Sequence, residues 1–196
     1  MEILSIFSTL FAVWFGYWLA NRKQESQINN TKDSLYSELK LIEEEFVNWY
    51  KTTLLIEYET PQRRDFSYAV EIDWDYLNSL QQSLGSNVLA QHRRLFKRIK
   101  AYEDTIKINT ETRNEKATNT NGSVVFVDYQ LTAQIIVQVN QLIYFVTKAL
   151  SERESFMMTS SYDMSDVMRS VQASHNCNVT DEQIENILRI TGSNKA

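Results

Sequence analysis

Structural punctuation is scarce in this chain. One proline, Pro61, and four glycines among 196 residues leave little with which to build tight turns, bulged strands or barrels, and this favours long helices. The single cysteine, Cys177, cannot close an intrachain disulfide and fits a reducing compartment. There are only two histidines, and no Cys/His spacing suits zinc; no Walker loop, dinucleotide fingerprint or nucleophile elbow occurs either. Most enzyme classes therefore lack support, and neither a metal nor a cofactor is implied. Positive charge is also in deficit: 20 Lys and Arg stand against 25 Asp and Glu, a formal net charge of −5. That balance argues against general nucleic-acid coating, so any RNA or lipid contact needs a local basic patch.

What is present begins at the N-terminus. Ile3 to Ala20 carries no charge and is followed at once by Asn21, Arg22 and Lys23. As a helix it would rise about 27 Å, near the short end of what spans a bilayer. A basic n-region and an Ala-x-Ala cleavage site, the marks of a signal peptide, are absent. The expectation is a transmembrane anchor over 1–23, with Arg22 and Lys23 on the cytoplasmic side and the rest of the chain in the cytosol. Ser8, Ala12, Gly16 and Ala20 recur every four positions and share a face. Such small residues let helix backbones approach closely, and a second copy of the chain is the expected partner.

Residues 24–196 read as one helical bundle. Leu35, Leu39, Ile42, Phe46, Trp49, Thr53 and Ile56 form a heptad seam, with Pro61 stopping the helix near Glu59. A second helix is expected from Arg64 to Leu84, stopped by Gly85, and a third from Ser86. The acidic residues Asp65, Glu71, Asp73 and Asp75 suit a helix N-terminus and are assigned no catalytic work. Asn109 to Gly122 is polar and reads as a flexible loop. Val124 to about Met158 is the central helix of the core, although Val124 to Val127 alone suits a strand. Two shorter helices follow: one from about Ser165 towards His175, and one introduced by a Thr180–Gln183 capping box and ended by Gly192.

His92, Arg93, Arg94, Lys97, Arg98 and Lys100 form the only concentrated basic cluster. It suits phosphates of RNA, anionic lipid head groups, or the acidic second helix of the same or a neighbouring chain. The last segment holds Arg169-Ser170-Val171-Gln172-Ala173-Ser174-His175. An Arg and a His at this spacing, late in an all-α domain, resemble the Arg-x4-6-His motif of the HEPN (higher eukaryotes and prokaryotes nucleotide-binding) superfamily. With the N-terminal anchor, the whole chain resembles the single-pass accessory membrane proteins of type VI-B CRISPR systems, companions of an RNA-guided RNase effector. The resemblance implies an all-α fold, an N-terminal transmembrane helix followed by a cytosolic HEPN-like bundle. It also implies a ring-shaped homo-oligomer in the bacterial inner membrane that strengthens antiviral defence by permeabilising or depolarising the membrane. Arg169 and His175 would then hold a vestigial or a metal-independent ribonuclease site, with His moving a proton and Arg stabilising phosphate charge. A membrane-tethered ribonuclease, a non-enzymatic adaptor and a purely structural His175 remain open as alternatives.

Overall fold

A computed structural model describes residues 2–60, 66–118, 129–159 and 161–193, with side chains from residue 11 onward except those of Ala12 and Thr118. Among these residues the chain forms helices and no strand: α1 (Glu2–Trp49), α2 (Leu55–Glu59), α3 (Trp74–Leu84), α4 (Ala90–Thr118), α5 (Tyr129–Glu152), α6 (Met164–His175) and α7 (Asp181–Thr191). The chain divides into two compact units, Met1–Glu38 with Trp74–Val88, and Leu39–Asp73 with Leu89–Ala196.

Among the described residues no helix is long and apolar enough to cross a membrane. The expected transmembrane helix over 1–23 and the single-pass inner-membrane location are therefore corrected. The apolar start of α1 belongs to a single helix of 48 residues. The same helix then passes without a break through Asn21, Arg22, Lys23 and Glu25. In the first unit the buried apolar side chains are Leu35 of α1, Leu77, Leu80 and Leu84 of α3, and Val88. Gly85 ends α3 with φ +52°, a left-handed conformation that glycine adopts without strain.

The second unit is built on α5, which packs against α2, α4, α6 and α7. Its apolar residues Ile135, Ile136, Val139, Leu142, Ile143, Phe145 and Val146 are fully buried, as the helical repeat in the sequence requires. α1 enters this unit at Leu39 and supplies Leu39, Ile42, Phe46 and Trp49 from the expected seam. Beyond Trp49 the seam shifts. Tyr50–Leu54 is a π-helical turn, which takes one extra residue per turn. Tyr50, Leu54, Glu57 and Tyr58 become the buried positions, while Ile56 is exposed and Thr53 only half-buried.

Two further differences have one cause. The second helix starts at Trp74 rather than Arg64, and residues 66–73 carry no helix. The expected loop from Asn109 is helical as far as Thr118, while 119–122 and the possible strand Val124–Val127 lie outside the described residues, as do Pro61 and Arg64. Arg113 and Glu57, both buried, form an ion pair at 3.0 Å. Arg113 also donates to the Ser67 carbonyl and stacks on Phe66, while Glu57 accepts the Ser67 backbone N–H. Five residues on, Glu103 accepts the Ile72 N–H. Backbone groups that a helix would have satisfied internally are taken by α2 and α4 instead. The polar stretch 109–118 stays helical because its inward face makes these bonds.

The C-terminal helices follow the sequence closely. Asp163 caps α6 by accepting the Ser165 N–H, Asn176 terminates it at φ 51°, and Thr180 with Gln183 closes the capping box of α7 before Gly192. The Glu57–Arg113 pair predicts a measurable asymmetry in stability. Arg113→Met leaves the Glu57 carboxylate buried and should cost about 3–5 kcal/mol in urea unfolding. The double variant carrying Glu57→Gln as well should recover part of that loss; a single-variant cost under about 1 kcal/mol would contradict the assignment.

Candidate functional site

The two members of the Arg/His motif lie on α6, six positions apart, so their side chains leave the helix about 120° from one another. Arg169 turns towards α7. Its Nε donates to Asp181 at 2.9 Å, its Nη1 donates to Ser165 one turn earlier, and the side chain stays 45 % exposed. Its pKa is raised, chiefly by the bond to Asp181.

His175 turns the other way, onto α1 and α5. Its Nε2 lies 3.0 Å from the Thr147 hydroxyl and 3.6 Å from Glu43, and only 15 % of the side chain is exposed. Thr147 donates its proton to Glu43 Oε1 at 2.5 Å. The Thr147 oxygen is then left to accept, which places the imidazole proton on Nε2. Glu43 is itself buried and receives Lys40 Nζ on its other oxygen. Lys51, on the π-helical turn, donates to the His175 carbonyl and satisfies one of the orphan acceptors at the end of α6. Burial pushes the His175 pKa below its ordinary value; Glu43 raises it, and Lys40 and Lys51 lower it further. The imidazole is thus neutral at pH 7, although its place in the last turn of a helix would by itself favour the charged form.

The cluster Lys40, Glu43, Thr147, His175 and Lys51 is a closed polar network. Arg169 takes no part in it. An imidazole with its Nε2 proton engaged and no guanidinium beside it cannot by itself both move a proton and stabilise phosphate charge. The groups needed for metal-free RNA cleavage are not assembled within one copy of the chain. Glu43 and Thr147 carried no motif that could reveal them. The only signal was position: Glu43 flanks Ile42 on the apolar seam, and Thr147 follows Val146 in the most apolar helix.

The basic cluster is dispersed in a similar way. His92 is buried and packs against Phe156. Arg98 is half-buried over the rings of Phe145 and Tyr162. Lys100 pairs with Glu103 and Asp104. Arg93, Arg94 and Lys97 are left exposed. Of the small residues, the side chains of Ser8 and Ala12 lie outside the described set; Ala20 is exposed and Gly16 has open space where a Cβ would stand. Among the described residues no group of His, Cys, Asp and Glu is arranged to hold a metal ion. No family model matches the chain, and no curated protein or solved structure was found to be similar to it.

The depressed His175 pKa fixes the sign of a pH effect. Above the ordinary imidazole value of 6.5 both folded and unfolded chains hold His175 neutral. Below it the unfolded chain takes up the proton first, so acid removes stability. Between about pH 7.5 and pH 5.5 the wild type should lose more unfolding free energy than His175→Gln, which keeps a donor for Thr147 but does not titrate. Equal losses in urea titrations of the two proteins would refute this.

Proposed function

We propose that this chain is a non-enzymatic helical protein that works by assembling with further copies of itself through the N-terminal part of α1. The observation that carries the reading is the apolar surface between Phe11 and Leu19. Phe11, Val13, Trp14, Phe15, Tyr17, Trp18 and Leu19 are all between 42 and 68 % exposed, and they surround the helix except on the face of Gly16 and Ala20, which is also uncharged. Phe11, Phe15 and Trp18 stack in succession at 6.1 and 5.8 Å, and Arg22 closes the row over Trp18. An aromatic side chain presents about 150–250 Å². Five of them about half exposed leave on the order of 500 Å² uncovered, near the top of the range for the largest patch on a monomer. A helix that is apolar all round is ordinarily buried on all sides, and several copies of the same helix meet that requirement together. The pore expectation needed a membrane-crossing helix, so the proposal is confined to assembly.

A ribonuclease reading would require two copies to bring Arg169 of one beside His175 of the other. It is disfavoured by the engagement of His175 with Thr147 and Glu43 and of Arg169 with Asp181.

Two measurements bear on this. Light scattering on the purified full chain should give a mass that is a multiple of 23.0 kDa, and Trp14→Glu with Trp18→Glu should return it to a single protomer. A wild type of protomer mass, or variants that assemble as well as it does, would overturn the proposal. Single-stranded RNA should remain uncut by the chain in the absence of metal. Cleavage that Arg169→Ala and His175→Ala both abolish would replace this reading with the ribonuclease.

A further inference from the structure

Between α5 and α6 lies a cleft of about 360 Å³, unusual for the seam of two core helices because hydroxyl groups line it rather than aliphatic carbon. Thr147 and Lys148 lie one turn of α5 beyond Tyr144, Glu152 stands at the end of that helix, and Ser170 and Ser174 face them from α6. Only Val171 contributes an aliphatic side chain, and it is buried.

The polar groups divide into those already committed and those still available. Thr147 is held by Glu43 and His175, and the neighbouring Ser151 donates to the Lys148 carbonyl. The hydroxyls of Tyr144, Ser170 and Ser174 make no hydrogen bond among the described residues. Lys148 Nζ is 3.9 Å from Glu152 Oε1, a loose pair that leaves ammonium protons and that oxygen able to reach another molecule, while Glu152 Oε2 accepts the Met157 backbone N–H at 3.4 Å. The lining therefore offers one cation, one anion and three unengaged hydroxyls.

That balance selects a ligand chemistry. A strong anion would meet Lys148 but also Glu152, with Glu43 behind Thr147. An apolar molecule would strip water from hydroxyls and return no hydrogen bonds, at a cost for each unpaired group. A neutral molecule rich in hydroxyls can donate to Glu152 while accepting from Lys148, Ser170 and Ser174, and so satisfies both signs at once. The cleft is at the small end of ligand sites, which run from about 300 to 1,000 Å³. We propose that the α5–α6 cleft binds a small neutral polyol of mono- or disaccharide size, with Lys148 and Glu152 recognising adjacent hydroxyls and Ser170 and Ser174 orienting them. The site belongs to a single copy of the chain and shares no residue with the assembly surface on α1.

Ligand-observed NMR with the full-length protein tests this, using D-ribose, D-glucose and sucrose as probes and glucose 6-phosphate as the anionic comparison. At least one neutral sugar should give saturable binding, weakened tenfold or more by Lys148→Met and by Ser170→Val. Ser174→Val, at an exposed position, serves in place of any variant whose circular dichroism shows that it has not folded. Absence of saturable binding by all three sugars overturns the assignment. So does tighter binding of glucose 6-phosphate than of glucose, or sugar binding that the folded variants leave unchanged.

Discussion

The buried pair of Glu57 and Arg113 is the constraint on which the arrangement of the second unit depends. Placing two charges in the interior is expensive, and the attraction between them offsets the cost only when their remaining hydrogen-bonding capacity is also used. Here it largely is. Glu57 accepts the backbone and hydroxyl of Ser67, and Arg113 reaches the Ser67 carbonyl, Thr132 of α5 and the ring of Phe66. One ion pair thus ties α2, the segment at 66–67, α4 and α5 together. It also decides a local conformation: residues 66–73 are drawn out along α4 instead of joining α3.

A second polar centre, around Glu43, Thr147 and His175, works at the other end of α5. The two centres share a design in which a buried carboxylate, Glu43 of α1 or Glu57 of α2, receives a hydroxyl or a cation from a later helix. The π turn matters because it changes which residues face inward. With regular α geometry the seam would continue to Thr53 and Ile56; with one residue more, Glu57 reaches the interior where Arg113 is waiting. At the same time Lys51 is placed to cap the last turn of α6. The residue that looked most like a catalytic histidine is thereby fixed as part of the packing of α6 on α1 and α5.

The sequence showed most where one physical rule dominates. Apolar periodicity located the buried face of α5, and the capping box with Gly192 located both ends of α7 within a residue or two, because these signals are local. It misled where polar residues are used in the interior. Thr110 and Arg113 resemble loop residues in composition, yet both are buried within α4. A π turn leaves no mark in the spacing that precedes it, so the heptad could not foretell that Ile56 would be exposed. The basic cluster was visible as composition, but composition does not say that His92 packs on Phe156 and that Arg98 lies over Phe145. The Arg/His spacing was visible as well, but spacing does not say that Arg169 turns towards Asp181 and His175 towards Thr147.

The same helix that carries the seam also frames the remaining question of its apolar end. Traced backwards from Trp49 through Phe46, Ile42, Leu39 and Leu35, the alternating steps of three and four pass Lys32, Ile28, Glu25 and Asn21, then reach Trp18, Trp14 and Phe11. The polar interval separates two apolar stretches that lie in one register on one continuous helix. From Leu35 to Trp49 the chain covers its own seam; from Phe11 to Trp18 nothing described in the chain does. A two-stranded contact would cover only the seam positions and leave Val13, Phe15, Tyr17 and Leu19 in water. Because those residues are also apolar and exposed, the physical demand is for neighbours on more than one side, and a bundle of α1 helices answers it better than a simple pair.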